Sequence, residues 1–224
     1  MLQKYLLCFI ICVFAGDLVR SQPVGDPDPQ RFQQQIETFL EWDAKNTFPE
    51  DAILFVGSSS IRFWKTRRAF PEYPVINRGF GGSHISDVRH FYKHVIHKYE
   101  PSVIVFYAGD NDVAADKPVE QVVDDYRNLT ERVQTDFPEV KFVYIPIKPS
   151  SSRWNYWERM EKVNRRIKSY NQQYEQLFYV DLATPLLKNG KPDDSLFMED
   201  LLHLNDKGYA AWNRVLAPAL DTLY

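Results

Sequence analysis

The chain has 224 residues, of which 44% are hydrophobic and 15% aromatic. This length and composition suffice for one well-packed domain and give little reason to expect two. The 27 Lys and Arg residues against 30 Asp and Glu leave a formal net charge of −3. Because no basic excess or basic tract occurs, we expect no nucleic-acid partner.

The first 21 residues have the pattern of a secretory signal peptide. Lys4 precedes an apolar stretch, residues 5–16, that is too short to span a bilayer as a mature helix. Val19 and Ser21 fit the small-residue pattern of a cleavage site. We therefore expect cleavage after Ser21 and a secreted or periplasmic protein without stable membrane insertion. An uncleaved membrane anchor is the alternative.

The mature chain is expected to contain no cysteine, because Cys8 and Cys12 both lie in this segment. It would then have neither a disulfide nor a cysteine-ligated metal. We divide the remainder into an N-terminal spacer and helix, residues 22–50, and one domain over residues 51–224.

Short apolar runs alternate with helical stretches along this domain. The runs predict buried β-strands at 52–56, 74–78, 102–108, 141–147 and 177–182. Helical patterns cover residues 84–98, 119–136, 154–176 and 206–223. This alternation predicts an α/β fold, a flavodoxin-like three-layer α/β/α sandwich around a five-stranded parallel sheet. Ligands of such sheets bind beyond the carboxyl ends of the strands.

The motif GSSS at 57–60 follows the first predicted strand. Gly57 permits a sharp turn into a helix, and Ser59 is a candidate nucleophile on that turn. A serine at a helix start is more often a cap. The motif also differs from the Gly-x-Ser-x-Gly elbow, because Ile61 follows Ser60. Arg62 and Trp64, just beyond, are interpreted as substrate contacts or as packing and surface charge.

The second motif, RGFGGS at 78–83, follows the next strand. A dinucleotide-binding loop would need a third glycine at His84, so nucleotide binding is not expected. Such a loop can instead present a backbone N–H to an anion. Gly82 is the candidate donor, since it has no side chain to obstruct the approach.

The third motif, AGDND at 108–112, invites a metal interpretation that fails. A calcium loop starting at Asp110 would need glycine at Ala115 and glutamate at Gln121. Asn111 is the better candidate, because its amide can donate to a developing oxyanion. The alternative is a structural asparagine in a turn.

Two further groups have open interpretations. His90, His94 and His97 share one helical face, but no acidic partner accompanies them, so we expect a solvated face and no metal. The aromatic residues around Arg153 line a substrate cleft or cover the sheet; they are Trp154, Tyr156 and Trp157.

The fourth motif is DLLH at 200–203, before the last helix. Asp200 can accept a hydrogen bond from Nδ1 of His203, which leaves Nε2 to face Ser59 as a base. A capping aspartate beside an incidental histidine is the alternative. Ser59, His203 and Asp200 are thus a candidate Ser-His-Asp triad, with Ser59, Gly82 and Asn111 as oxyanion-hole donors.

The order of these motifs resembles the SGNH/GDSL hydrolase family from Asp51 onward. By that resemblance Ser59 is the nucleophile, Gly82 and Asn111 bind the oxyanion, and Asp200 and His203 complete the triad. One departure is visible, because Ser58 stands where the family has the aspartate of GDS.

The resemblance implies a serine hydrolase that cleaves carboxylic ester bonds without a metal or other cofactor. Its substrate would be a small-molecule, lipid or carbohydrate ester. No large insertion separates the motifs, so we expect an open cleft and small acyl groups, acetyl above all.

A catalytically inactive secreted binding protein on the same fold is the alternative, and a flavin binder is a third. Asn128 begins a sequon, Asn-Leu-Thr, that matters if the host glycosylates secreted proteins.

Overall fold

The computed structural model describes residues 23–224. The expected signal peptide, with Cys8, Cys12 and the cleavage after Ser21, lies outside the described residues. No helix within residues 23–224 is both long and apolar enough to cross a membrane.

The centre of the molecule is a five-stranded parallel sheet of order β2-β1-β3-β4-β5. Its strands are β1 Ile53–Gly57, β2 Val75–Gly79, β3 Val103–Tyr107, β4 Lys141–Tyr144 and β5 Leu177–Tyr179. A two-stranded antiparallel hairpin lies apart from it, β6 Leu187–Lys188 and β7 Lys191–Pro192. The predicted α/β fold and parallel sheet are confirmed.

Helices cover both faces of the sheet. They are α1 Gln33–Asp43, α2 Ser59–Arg62, α3 Thr66–Ala69, α4 Ile85–His90, α5 Tyr92–Val95, α6 Asp110–Ala114, α7 Val119–Asp136, α8 Trp157–Asn171 and α9 Asp206–Leu223. Alternate residues of β1 point to opposite faces: Leu54 packs in the cluster with α1, α4, α7 and α8, and Phe55 packs in the cluster with α9.

The single helix predicted over residues 84–98 is wrong. The backbone leaves the helix at Phe91 (φ −89°, ψ 14°) and again at Ile96 (φ −130°, ψ −66°). Both side chains are buried in the core, and their packing overrides the local helical pattern. The histidines of this segment, His90, His94 and His97, are exposed.

The helix predicted over residues 154–176 is shorter than expected. A 3₁₀ turn occupies residues 151–156 before α8, and α8 ends at Asn171. The buried Asn171 side chain donates to the carbonyl of Phe178 and accepts from the Tyr126 hydroxyl. These bonds tie the end of α8 to β5 and α7.

A buried ionic cluster lies beside α6 and α7. Lys117 is fully buried, and its Nζ lies 2.9 Å from Asp112 Oδ1 and 3.2 Å from Asp125 Oδ2. It also lies 2.5 Å from Asp26, which attaches the N-terminal spacer to the domain. His84 is buried at the edge of the cluster, with Nδ1 3.7 Å from Asp112 Oδ1.

Candidate active site

Three of the predicted motifs meet at the carboxyl end of the sheet. The strands β2, β1 and β3 are adjacent and parallel, so the loops that follow them are neighbours. The Asn111 amide donates to the carbonyl of Ser83 at 3.1 Å, which joins the second and third motifs. A Cβ added to Gly81 would lie 3.7 Å from Ser59 Cβ, which brings the first motif to the same place.

Glycines make these close approaches possible. Gly57 has φ +139°, and a Cβ there would lie 1.9 Å from the carbonyl oxygen of Tyr107. At Gly79 a Cβ would lie 2.4 Å from the backbone nitrogen of Arg62. Side chains at these positions would therefore push the three loops apart.

The turn after β1 leaves backbone donors at Ser59. The helix α2 begins at Ser59, and the Ser58 side chain does not cap it. The first N–H groups of a helix have no acceptor inside the helix. The Ser59 N–H is therefore available to an external acceptor. Ser58 occupies the position before the helix, but its side chain bonds no N–H of α2, so the interpretation of this serine as a side-chain cap is wrong.

Ser59, His203 and Asp200 form a continuous hydrogen-bonded row. Ser59 Oγ lies 2.9 Å from His203 Nε2, and His203 Nδ1 lies 2.6 Å from Asp200 Oδ2. A carboxylate accepts from Nδ1–H, which leaves Nε2 to accept from the Ser59 hydroxyl. Residues 144 positions apart in the sequence are thereby in contact.

The turn that carries Asp200 and His203 holds the carboxylate in place. Asp200 Oδ1 accepts the backbone N–H groups of Leu202 and His203, each at 2.9 Å. Leu201, which follows Asp200 in this turn, has φ +53°, a left-handed conformation that is uncommon for leucine. The aspartate therefore caps its own turn and bonds the histidine ring at once.

Hydrogen bonding sets the ionisation of this aspartate. Burial acts to raise the pKa of Asp200, but the His203 ring and the two backbone N–H groups outweigh it and lower the pKa to about 2. Asp200 is thus ionised at neutral pH, and 46% of its side chain is exposed, which also favours the charged form. An ionised carboxylate stabilises an imidazolium on His203.

Gly82 and Asn111 present donors next to this row. Gly82 has φ +83°, and its N–H bonds to no acceptor in the described part of the chain. A Cβ there would meet nothing within 4 Å, so glycine is needed for the positive φ. One N–H of the Asn111 amide bonds to Ser83, and the other remains for a ligand.

Arg153 stands behind Asn111. Its Nη2 donates to Asn111 Oδ1 at 2.9 Å, and its Nη1 lies 3.0 Å from Asp110 Oδ2. Burial acts to raise the pKa of Asp110, but Lys148 and Arg153 outweigh it and lower the pKa. The guanidinium thus fixes which way the Asn111 amide faces. The sequence analysis interpreted only the aromatic residues around Arg153 and missed this contact.

The other sequence candidates include two tryptophans and a sequon. Trp154 and Trp157 stack on each other with ring centroids 5.7 Å apart. Asn128 is exposed on α7, while the Thr130 hydroxyl of the same sequon is buried and bonds the helix backbone. Within residues 23–224, no group of three or more His, Cys, Asp or Glu side chains is arranged to hold a metal ion.

A five-stranded parallel sheet between two helical layers, with these loops at its carboxyl edge, is the fold of the GDSL/SGNH hydrolases. The model of the GDSL-like lipase/acylhydrolase family matches residues 58–211. The chain belongs to this family and is an ester-hydrolysing enzyme. The resemblance stated from the sequence is confirmed.

Solved structures support the fold at low sequence identity. A candidate platelet activating factor from Streptococcus pneumoniae is 21% identical with a TM-score of 0.76, covering 87% of this chain and 94% of that one. A GDSL-like lipase from Bacteroides thetaiotaomicron is 17% identical with a TM-score of 0.72, covering 88% and 98%. A variant of an acetyl-xylooligosaccharide esterase from Geobacillus stearothermophilus is 14% identical with a TM-score of 0.63, covering 77% and 94%. A comparison with curated proteins found no match.

Proposed function

We propose that the enzyme hydrolyses carboxylic esters with Ser59 as nucleophile, His203 as general base and Asp200 as the carboxylate that orients it. The observation that carries this proposal is the 2.9 Å contact between Ser59 Oγ and His203 Nε2. A serine hydroxyl is a weak nucleophile unless a base accepts its proton. The ionised Asp200 on the far side of the ring supports that base.

The proposed reaction has two stages. His203 takes the Ser59 proton as Oγ bonds to the ester carbonyl carbon, and the resulting oxyanion accepts from the Ser59 and Gly82 N–H groups and the Asn111 amide. The bond to the leaving alcohol then breaks, and that alcohol takes the proton from His203. Water next attacks the acyl-serine while His203 accepts its proton, which frees the acid and returns the proton to Ser59.

A fluorophosphonate probe tests the nucleophile. We expect the wild type to be labelled at Ser59 and Ser59→Ala to remain unlabelled. Labelling at another serine would contradict the assignment. No labelling of the folded wild type would favour the binding-protein alternative.

We further propose small acyl substrates, acetyl above all. The absence of a large insertion between the motifs supports an open cleft, and one structural neighbour is an acetyl-xylooligosaccharide esterase. A series of 4-nitrophenyl esters from acetyl to decanoyl tests this. Higher kcat/KM for the long chains would overturn it.

Export from the cytoplasm is also proposed, supported by the apolar stretch after Lys4 and by Val19 and Ser21. Sequencing the N-terminus of the mature protein from the medium or periplasm tests it. An intact N-terminus in the cytoplasm would overturn it.

A further inference from the structure

Arg62 is an exposed arginine whose guanidinium has no carboxylate or other hydrogen-bond acceptor among residues 23–224. Arg62 differs in this respect from the arginines that pair with carboxylates, such as Arg31 with Asp87, Arg78 with Asp43 and Arg89 with Asp125. Position 62 is the last residue of α2, the short helix that begins at Ser59. A guanidinium that has no acceptor in the described part of the chain is thus attached to the same turn as the proposed nucleophile.

Two observations place this cation close to the site. A Cβ added to Gly81 would lie 3.3 Å from Arg62 Nη1 and 3.7 Å from Ser59 Cβ, so the two residues flank the same point. The Phe63 ring lies 5.8 Å from the Arg62 guanidinium carbon and packs edge-on against His203, with ring centroids 5.1 Å apart. One substrate can therefore contact Ser59, His203 and Arg62 together.

The charge around Arg62 is positive, although the whole chain has a net charge of −3. Residues 62–68, RFWKTRR, contain four basic side chains and no acidic one. Among the contacts of residues 23–224, Lys65 alone of these bonds an aspartate, Asp206, in an exposed pair. Unscreened cations at the mouth of a cleft attract anions and raise their local concentration.

Beyond Arg62 there is room for a ligand. Arg62 lines an open surface pocket of about 610 Å³ whose wall includes Gln34, Thr38, Trp42 and Asn77. The described lining contains no Asp or Glu. An anion bound to Arg62 would therefore meet amide, hydroxyl and aromatic groups and no opposing carboxylate.

We propose that Arg62 is a specificity residue that binds an anionic group, a carboxylate or a phosphate, on the ester substrate. The guanidinium presents two parallel N–H donors, which suit both groups. This inference rests on the proposed function, because it names the substrates of the same site. It predicts that negatively charged esters are preferred over their neutral analogues.

The test compares substrates that differ in charge. On the alcohol side, 4-acetoxybenzoate is paired with its methyl ester, and 4-acetoxyphenyl phosphate, the phosphate case, is compared with the same methyl ester. On the acyl side, mono-4-nitrophenyl succinate is paired with 4-nitrophenyl butyrate. Each is assayed with the wild type, Arg62→Gln and Arg62→Lys, and each variant is compared with the wild type on the same substrate, which cancels intrinsic reactivity.

For at least one charged substrate, Arg62→Gln should lower kcat/KM about tenfold or more relative to its effect on the neutral partner, as expected for loss of a charge-assisted bond. Arg62→Lys should restore part of that difference, and 0.5 M NaCl should reduce it. Arg214→Gln, the same charge change at an exposed position on α9, is the control and should leave the difference between the paired substrates as in the wild type. Equal losses on charged and neutral partners, or no loss in any pair, would overturn the proposal.

Turnover of the neutral esters separates this inference from the proposed function. If no ester is hydrolysed, the proposed function fails, and binding still decides the role of Arg62. Calorimetric titration of the Ser59→Ala protein with 4-acetoxybenzoate and its methyl ester should show tighter binding of the anion. The Ser59→Ala/Arg62→Gln protein should lose that preference, and its retention would overturn the inference.

Discussion

The Asp200–His203–Ser59 row and the Lys117 cluster use the same kinds of side chain in opposite surroundings. Asp200 has 46% of its side chain exposed, whereas Asp112 and Lys117 are fully buried. Burial raises the pKa of Asp112 to about 6 in spite of the adjacent Lys117 ammonium. Hydrogen bonding lowers that of Asp200 to about 2.

The difference separates groups arranged for reaction from groups arranged for structure. An exposed charged group such as Asp200 loses little hydration on folding and contributes little to the free energy of unfolding. Its removal should therefore affect turnover more than folding. A buried ion is different, because removing its partner leaves an uncompensated charge in the interior. Variants in the two regions should therefore fail in different assays.

Ser59→Ala should produce the largest effect. Loss of a triad nucleophile lowers kcat by about 10⁴–10⁶, while the melting temperature should stay near that of the wild type. The His203→Ala variant should be similarly inactive, and the double variant should lose little more, because the two act as a unit. Ser58→Ala and Ser60→Ala are the controls; a dead Ser60→Ala beside an active Ser59→Ala would show that the register is wrong.

Lys117→Met should be the most damaging change in the buried cluster. It leaves the buried Asp112 without its cation and leaves Asp125 with Arg89 alone, so the free energy of unfolding in urea should fall by about 3–5 kcal/mol. The control is Lys65→Met, which breaks an exposed pair and should cost about 0–1 kcal/mol. Equal costs at the two lysines would contradict the distinction between the regions.

Asn111→Ala should lower kcat by about 10²–10³ with KM little changed, as for a single oxyanion donor. Asn111 combines a proposed catalytic role with structural hydrogen bonds, because its oxygen accepts from Arg153 and its amide donates to the Ser83 carbonyl. Measuring kcat and melting temperature on one preparation decides its role. A less stable variant with wild-type kcat would remove Asn111 from the catalytic residues.

His84 provides the smallest effect, through pH. Burial, followed by the Lys117 charge, lowers the pKa of His84 to about 4. The histidine is therefore protonated at a lower pH in the folded protein than in the unfolded chain. Stability due to neutral His84 is present above pH 6.5 and lost as pH falls toward 4. Asp112 has a raised pKa, so its contribution to the free energy of unfolding changes in the opposite direction: it increases as pH falls from 6 to 3.8.

Comparison with His84→Gln isolates the histidine. From pH 7.5 to pH 5, the wild type should lose about 2 kcal/mol of unfolding free energy relative to that variant. The measurement is urea unfolding of both proteins at each pH. A difference independent of pH would show that His84 titrates alike in both states.

Local sequence patterns were sufficient for the sheet and for the motif order. The five apolar runs predicted the five strands because buried parallel strands are continuously apolar. The helix predicted at 119–136 has the same bounds as α7, since its apolar face repeats with helical period. Residues 84–98 were misjudged, because burial of Phe91 and Ile96 breaks a locally favourable helix.

The sequence alone determined which residues were candidates: Ser59, Gly82, Asn111, Asp200 and His203 stand in recognisable motifs, and their catalytic roles stay predictions. Tertiary structure decided what these residues touch. The contact of Ser59 with His203 and the Arg153 bond that orients Asn111 join segments far apart in sequence. Packing also decides that no residue among 23–224 supplies an acceptor to the exposed Arg62 guanidinium. Such contacts depend on how strands and helices pack, and short-range periodicity carries no information about which distant segments come together.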